Sequence, residues 1–173
     1  MSYIEIRTKR LILKPSGMKY NQDVNEYAMD LENTKYQLAL PNKSEEETKE
    51  FLRMVEAEWN KENQNYFEFS MLYDDKCIGG IGITIEDGVG ELGWTVNKRY
   101  WRNGFAFEAA ETLIKYFSEH MDIRHFIAHC DAENVPSYKL MEKLGMKKTG
   151  EWGGRRNRSA SEDSFEYQYE LVL

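Results

Sequence analysis

One stretch decides the fold, and over residues 131–146 it has the sequence DAENVPSYKLMEKLGM. Asn134 is of a type preferred at helix N-caps, and Pro136 falls in the first turn, where its missing N–H costs nothing. The apolar residues at helical spacing are Leu140, Met141 and Leu144. Gly145 is typical of the residue just past a helix end. The stretch therefore predicts a helix, preceded by a short β-strand over His125–Cys130.

A longer helix is predicted upstream, starting at Gly104. One apolar stripe at spacings of three, four and seven is formed by Ala106, Ala109, Ala110, Leu113, Ile114 and Phe117. Before it, short turns separate three strand-like segments, namely Tyr66–Tyr73, Cys77–Ile85 and Val89–Val96. This pattern predicts an antiparallel meander that leads into a strand, helix, strand, helix order.

The two ends of the chain complete the predicted fold. Ile4–Leu13 is expected to form one strand, followed by a helix over Tyr20–Asp30 and a second helix that a capping box of Ser44 and Glu47 begins. The last two predicted strands are Met146–Trp152 and Ser164–Leu173. The sequence predicts one domain over residues 1–173, an α+β fold with a mixed, mostly antiparallel sheet of about seven strands and about four helices.

Composition excludes several classes of protein. The 173 residues include 23 Lys+Arg and 30 Asp+Glu, a net charge of −7, which suits a cationic partner and argues against nucleic acid. No apolar stretch reaches the roughly 18 residues of a membrane span, and the N-terminus lacks a signal peptide's apolar region, so we expect a cytoplasmic protein with no membrane partner. Cys77 and Cys130 are expected to be reduced. His125 and His129 lack a third nearby ligand, so no metal site is expected.

The turn before the longer helix has the composition of an anion site. Arg102, Asn103, Gly104, Phe105 and Ala106 bring a strand into a helix N-terminus, where unpaired backbone N–H groups and the helix dipole favour negative charge. Gly104 would let a diphosphate approach the backbone closely. Many such turns contain one glycine and bind nothing, so the turn alone leaves both interpretations open.

Residues 131–146 resemble the N-x-x-S-x-x-L-x-x-x-G-[FM] stretch of the GNAT superfamily of acetyl-CoA-dependent N-acetyltransferases. Thr8–Leu11 resembles the family's T-x-R-L opening, and Ile78–Gly82 resembles its central hairpin strand. Glu91–Trp94 followed by Tyr100–Ala109 is similar to the core of the RimJ/RimL branch, which acetylates N-terminal amines of ribosomal proteins. Ser164–Leu171 resembles the closing strand of that branch. Because the matches occur in order over nearly the whole chain, the sequence is identified as a member of the superfamily.

The resemblance implies where acetyl-CoA binds. The fourth strand, ending at Trp94, Thr95 and Val96, is expected to carry a bulge and to splay from the fifth, leaving unpaired backbone groups for the pantetheine arm. The diphosphate is expected on the N–H groups of residues 102–106, with the Arg102 side chain on a phosphate. Asn134 would hold a pantetheine amide, and Ser137 would lie near the thioester sulfur. From the residues alone, Asn134 is equally an ordinary N-cap and Ser137 an ordinary first-turn residue.

The resemblance also implies the catalytic residues. Many GNAT enzymes have a tyrosine acid four residues after the serine position, but here Met141 stands there, so Ser137 is the expected proton donor. Trp101 replaces the family's usual Gln or Arg in the diphosphate loop. Glu91 is our first choice for the base, with a raised pKa, although it is equally suited to orienting the substrate ammonium. Glu68 and Glu151 are lesser candidates.

We therefore expect acetyl transfer from acetyl-CoA to a primary amine, either a protein N-terminus or a small cationic amine, by direct attack in a ternary complex. Aromatic walls of the acceptor pocket are expected from Tyr27, Tyr36, Trp59, Tyr66 and Trp152. One alternative is a non-catalytic CoA-binding module with the same fold. Another is an RNA-associated factor that uses Arg155, Arg156 and Arg158. The sequence leaves the oligomeric state open, a homodimer included.

Overall fold

An eight-stranded sheet organises the computed structural model, which describes residues 3–173. The strands are β1 (Ile6–Arg7), β2 (Ile12–Pro15), β3 (Tyr66–Tyr73), β4 (Lys76–Glu86), β5 (Val89–Val96), β6 (His125–Asp131), β7 (Lys147–Arg155) and β8 (Ser164–Val172). Their order across the sheet is β1-β2-β3-β4-β5-β6-β8-β7. Within the described residues β5 and β6 are the parallel pair, and all other neighbours are antiparallel. The predicted α+β fold is confirmed.

Helices cover the sheet at the predicted positions. They are α1 (Asn21–Ala28), α2 (Glu45–Trp59), α3 (Phe105–Met121) and α4 (Val135–Lys143). Ser44 caps α2 by accepting a hydrogen bond from the Glu47 N–H at 3.4 Å. Gly104 precedes α3 at φ 75°, and Gly145 follows α4 at φ 89°, both in the left-handed region that glycine adopts without strain. In residues 3–173 no helix combines the length and the apolar character that a bilayer crossing requires.

The first predicted strand, Ile4–Leu13, is wrong as a single element. It divides into β1 and β2, which form a hairpin. The Thr8 N–H donates to the Leu11 carbonyl at 2.9 Å, and the Thr8 hydroxyl accepts from the Leu11 N–H at 2.8 Å. These bonds close a turn inside a segment whose β-branched residues suit a continuous strand. The sheet therefore has eight strands where about seven were expected.

β5 and β6 part, as predicted for the fourth and fifth strands of the expected sheet. Their parallel pairing runs from Val89↔His125 to Leu92↔Ala128 and then stops. Beyond that point β5 stays paired with β4 as far as Gly79↔Val96 in unbroken register, so the expected bulge is wrong. β6 continues along β8 to Asp131↔Glu166. The strands separate because each follows its other neighbour in a twisting sheet.

The core lies on one face of β3 and β4. Phe67 contacts Trp59 of α2 and Phe117 of α3, with ring centroids 5.6 and 5.1 Å apart. Because side chains alternate along a strand, Tyr66 and Glu68 point to the opposite face. That face carries a smaller apolar cluster, which includes Tyr27 of α1 and Cys77 of β4, and beside it a polar cleft.

Two phenylalanines of contrasting burial test this arrangement. Phe117 is fully buried, and Phe165 is 58% exposed. Phe117→Ala should lower the free energy of unfolding by about 3–5 kcal/mol because it leaves a cavity between α3 and β3. Phe165→Ala should change it by less than about 0.5 kcal/mol. Urea denaturation measures both, and similar losses in the two variants would contradict the assigned core.

Candidate active site

A cavity of about 280 Å³ opens on the polar face of β3, β4 and β5. Cross-strand pairing arranges this face in three rows, which are Tyr66, Thr84 and Glu91, then Glu68, Gly82 and Gly93, then Ser70, Gly80 and Thr95. Gln37, from the segment between α1 and α2, lines the same cavity. The glycines of β4 and β5 leave the space that side chains would otherwise fill.

Glu68 lies over β4 on the cavity floor. A Cβ atom added at Gly80 would lie 2.7 Å from Glu68 Oε1, and one added at Gly82 would collide with Oε2. The Tyr66 hydroxyl donates to Glu68 Oε2 at 2.8 Å. Burial raises the pKa of Glu68 to about 7, although the Tyr66 hydrogen bond acts in the other direction. A carboxyl group that titrates near neutral pH therefore lines the cavity.

Glu91 lies at the far side of this cavity and is paired with His129. Glu91 Oε1 is 2.7 Å from His129 Nδ1, and Gln168 Oε1 is 2.9 Å from His129 Nε2. Gln168 Nε2 donates to Thr149 and Glu170, which turns the amide oxygen toward the ring. Two acceptors on one imidazole favour its protonated form, and the Glu91 hydrogen bond raises the pKa of His129. The same hydrogen bond lowers the pKa of Glu91, so the raised pKa expected for Glu91 is wrong.

A second, smaller cavity of about 80 Å³ occupies the gap between β5 and β6. It shares Gln37 and residues 92–94 with the first cavity. Its other lining residues are Tyr36, His129, Cys130, Asn134, Ser137 and Arg155. Asn134 is the N-cap residue of α4, as expected, but its side chain makes no capping hydrogen bond to the helix. The shared wall brings Asn134 and Ser137 beside the carboxylate cavity.

The predicted anion turn forms at the start of α3. Arg102 and Gly104 both adopt left-handed backbone, at φ 63° and 75°. The first backbone N–H groups of α3 point out of the turn without helical partners. Arg102 is exposed and has no ion-pair partner among residues 3–173. Asn103 uses its side chain within the turn, donating to the carbonyls of Tyr100 and Trp101 at 3.0 and 3.1 Å.

The end of β5 differs from the expected row of unpaired groups. Trp94 and Thr95 line the first cavity. The Val96 carbonyl, however, accepts from Asn33 Nδ2 at 3.0 Å and from Trp101 Nε1 at 2.8 Å. The resemblance predicts that Val96 offers its backbone to the cofactor, but the Val96 carbonyl already has two donors within the protein. Trp101, which replaces the family's Gln or Arg, therefore fastens the anion turn to β5.

Arg10 is a member of the anion turn that the sequence analysis missed. Its Nη2 atom lies 3.6 Å from a Cβ position at Gly104, and its guanidinium group covers the Phe105 ring at 4.3 Å. Arg10 Nε binds Glu108 Oε1 at 2.9 Å, and the same carboxylate accepts from the Thr8 hydroxyl. The T-x-R-L motif at residues 8–11 was the available signal. It ties the β1–β2 turn to the first turn of α3.

The arginine-rich loop between β7 and β8 is a structural strap. Arg155 binds Glu166 at 2.6 Å and donates to the Tyr36 carbonyl at 2.8 Å. Arg156 pairs with Asp163, and Arg158 pairs with Glu47. All three guanidinium groups thus have carboxylate partners within the protein. The loop holds the segment that carries Gln37 against both cavities.

A buried carboxylate anchors this strap to the end of β6. Asp131 is 1% exposed and accepts from Asn157 Nδ2 at 2.6 Å, from the Ser164 hydroxyl and from the Glu133 N–H at 2.8 Å. Arg155 Nε lies 3.8 Å from the same carboxylate. Hydrogen bonds hold the pKa of Asp131 below its usual value against the effect of burial. Asp131 thereby fixes the backbone just before Asn134, and the sequence analysis did not identify it.

The expected aromatic walls are partly wrong. Tyr66 and Tyr36 line the two cavities. Trp59 and Tyr27 are instead buried, at 3% and 5% exposure, and Trp152 is 46% exposed on the last hairpin. Glu151, a lesser candidate for the base, pairs with Lys148 at 2.7 Å, and it lines neither cavity. Residues 3–173 contain no group of three or more His, Cys, Asp or Glu placed to share a metal ion.

The chain is similar to known acetyltransferases. Residues 10–147 match the model of the acetyltransferase (GNAT) domain. The uncharacterized N-acetyltransferase YnaD of Bacillus subtilis is 33% identical over 151 residues, 85% of each chain. A GNAT-family acetyltransferase from Bacillus anthracis has a TM-score of 0.82 at 29% identity over 98% of both chains. RimL, a ribosomal L7/L12 alpha-N-protein acetyltransferase solved with coenzyme A, shares the fold, with a TM-score of 0.85 at 13% identity over 98% of both chains.

The buried carboxyl group predicts a pH-dependent stability difference. Burial raises the pKa of Glu68 from 4.5 to about 7, so above pH 4.5 the carboxyl ionises more readily in the unfolded chain, and the folded state loses stability until Glu68 is ionised in both states above about pH 7. Glu68→Gln should therefore melt at the same temperature as wild type near pH 4.5 and higher than wild type from about pH 7 upward. Calorimetry at pH 4.5, 6, 7 and 8.5 measures this difference. A constant difference across the range would contradict a buried, titrating Glu68.

Proposed function

We propose, from the premise that the chain belongs to the acetyltransferase (GNAT) domain family, that it transfers the acetyl group of acetyl-CoA to a positively charged primary amine. The observation that carries this proposal is a cavity with two carboxylates, Glu68 and Glu91, beside the gap between β5 and β6. The acceptor is a small cationic amine or the N-terminal amine of a basic protein. The resemblance to the RimJ/RimL branch supports the second class.

The residues around the gap suit acetyl-CoA. Outward N–H groups at the start of α3 and the unpaired Arg102 would hold the diphosphate, since both favour phosphate oxygens. Beyond Leu92 the β5 backbone no longer pairs with β6, and on that side it would pair with the pantetheine arm. The uncommitted Asn134 side chain would hold a pantetheine amide. Acetyl-CoA supplies the activated acetyl thioester.

Charge selects the acceptor. Glu68 and Glu91 line the first cavity, and no lysine or arginine is among its lining residues. The hydrogen bond from His129 lowers the pKa of Glu91, and His129 lines the gap that contains Ser137. A cation would also be attracted from a distance because the whole chain carries a net charge of −7. We assign Glu91 to orienting the substrate ammonium.

The reaction requires one bond to form and one to break. The neutral amine nitrogen attacks the acetyl carbon, a C–N bond forms, and the C–S bond breaks. Ser137 lines the gap between the strands and would give the departing thiolate a proton, while the nitrogen's second proton would replace it through solvent. Met141 is 1% exposed in the core and is not available for this step. The products are an acetamide and CoA with a free thiol.

Removing Arg102 should weaken cofactor binding. Arg102→Ala should reduce CoA affinity by about tenfold because a charge-assisted phosphate contact is lost. Lys115→Ala is the matched control, since it removes one exposed charge from the same helix about 15 Å from its N-terminus. Isothermal titration with CoA measures both, and ATP and NAD test selectivity. Equal affinities for Arg102→Ala, Lys115→Ala and wild type would contradict the assigned diphosphate site.

Glu91 should control recognition of the acceptor. Wild type should acetylate spermidine and peptides with basic first residues better than neutral amines, and this preference should weaken as salt rises. Glu91→Gln should raise KM for the cationic acceptors about tenfold or more with a smaller change in kcat. Glu86→Gln, an exposed glutamate outside the cavity, is the control. A neutral or anionic best acceptor, unaffected by salt, would refute the charge-based part of the proposal.

A further inference from the structure

We infer that Glu68, rather than Glu91, is the catalytic group that takes the proton from the substrate ammonium. This inference rests on the proposed acetyl transfer. A substrate amine enters the site in its ammonium form and must lose a proton before it can attack. The assignment follows from where the Glu68 carboxylate lies, what it contacts and how its surroundings differ from those of Glu91.

Two glycines give the Glu68 side chain its place. Glu68 belongs to β3, yet its carboxylate lies over β4, in the space where side chains at Gly80 and Gly82 would stand. Gly82 pairs with Glu68 on one side and with Gly93 on the other. The carboxylate thus lies over β4, and Gly93 is the residue next to Gly82 on β5. Glu68 and Gly93 line the first cavity, and Gly93 also lines the gap between β5 and β6, so the carboxylate shares an open space with the place where acetyl transfer would occur.

One carboxylate oxygen is fixed and the other is available. Tyr66 donates to Oε2, which orients the group, whereas Oε1 has no hydrogen-bond partner among residues 3–173. Oε1 is also not fully buried, because the fully buried side-chain oxygens without a partner in that range do not include it. An ammonium in the cavity can therefore donate to Oε1 directly or through one water molecule.

The two carboxyl groups of the cavity have opposite environments. Glu91 is half-exposed and hydrogen-bonded to His129, a bond that lowers the pKa of Glu91 and makes it the weaker base. Glu68 is partly buried and forms no ion pair within the described residues, and the resulting desolvation makes its carboxylate the stronger proton acceptor. Environments that separate two carboxyl groups in this way are typical of sites with distinct acid-base roles.

The titratable neighbours of Glu68 are uncharged or acidic. They are Tyr66 on β3, Tyr27 on α1, Cys77 on β4, Glu91 on β5 and, beyond Tyr66, Glu58 on α2. Burial keeps Tyr27, Tyr66 and Cys77 protonated at neutral pH, since it raises the pKa of each. An arriving ammonium is thus the cation that Glu68 lacks. In the step itself the N–H bond breaks, the proton binds Glu68 Oε1, and the nitrogen keeps the electron pair for attack on the acetyl carbon.

The test compares Glu68→Gln, Tyr66→Phe and the control Glu86→Gln by their pH-rate profiles with one cationic acceptor and saturating acetyl-CoA. Wild type should show a rising limb of kcat/KM for the acceptor with an apparent pKa of about 7, because that ratio reports the ionisation of the free enzyme. Glu68→Gln should lose that limb and about 10²–10⁴-fold in kcat. Tyr66→Phe removes the bond that stabilises ionised Glu68, so the limb should move up by about 0.5–1 pH unit. Glu86→Gln should match wild type.

Two further measurements separate the possible failures. Carbon-13 NMR of the glutamate carboxyl groups in the cofactor-free protein should show one resonance that titrates near pH 7. This resonance should be missing in Glu68→Gln, and its pKa should be higher in Tyr66→Phe. CoA titration establishes whether each variant is folded. If Glu68→Gln is not folded, the pH-rate profile of Tyr66→Phe decides whether Glu68 takes the proton. An unchanged limb in Glu68→Gln or in Tyr66→Phe would overturn this inference alone. A wild-type protein that acetylates no amine would overturn the proposed function itself.

Discussion

The parting of β5 and β6 is the constraint on which the rest of the site depends. Two strands that pair through Leu92↔Ala128 and then separate leave backbone donors and acceptors without partners inside the molecule. Such groups are costly unless something binds them, which is why we propose that the extended, amide-bearing pantetheine arm binds in the gap. The same separation places residues of β5 and of α4 on opposite sides of one small cavity. A fully paired sheet would have had neither the gap nor the cavity.

Cross-strand register turns this gap into a site with two carboxylates of different character. Glu68 and Glu91 lie on β3 and β5, in adjacent rows of one face, with the glycines of β4 between them. The bare surface of β4 lets the Glu68 side chain fold over it and become buried. Glu91 instead meets His129, the residue on β6 just beyond the last paired position. One carboxyl group is thereby kept basic and the other is kept ionised.

Polar networks outside the cavities fix the turns and loops that connect the strands and helices. Glu108 joins α3 to the turn between β1 and β2 through Thr8 and Arg10, which steadies the anion turn. Asp131 and Arg155 join the end of β6, the last hairpin and the segment before α2. The buried charges of Asp131 and Arg155 are tolerated because the oxygens and N–H groups of both side chains have hydrogen-bond partners. Arg10 and Arg155 are thus part of the framework, and the first cavity, which has no lysine or arginine in its lining, stays acidic.

The sequence by itself determined the order of elements, the helix caps and the family, because these follow from local spacing and from motifs that occur in chain order. It located Asn134 and Ser137, which the fold brings together, but it could not rank Glu68 against Glu91. That ranking depends on burial by glycines of another strand and on an ion pair with His129, contacts between residues up to 38 positions apart. The division of the first strand rests instead on a local turn between Thr8 and Leu11, whereas Asn33, 63 positions away, is one of the two donors that occupy the Val96 carbonyl. Only the tertiary structure decides such contacts, because a group's pKa and partners are set by whatever packs against it.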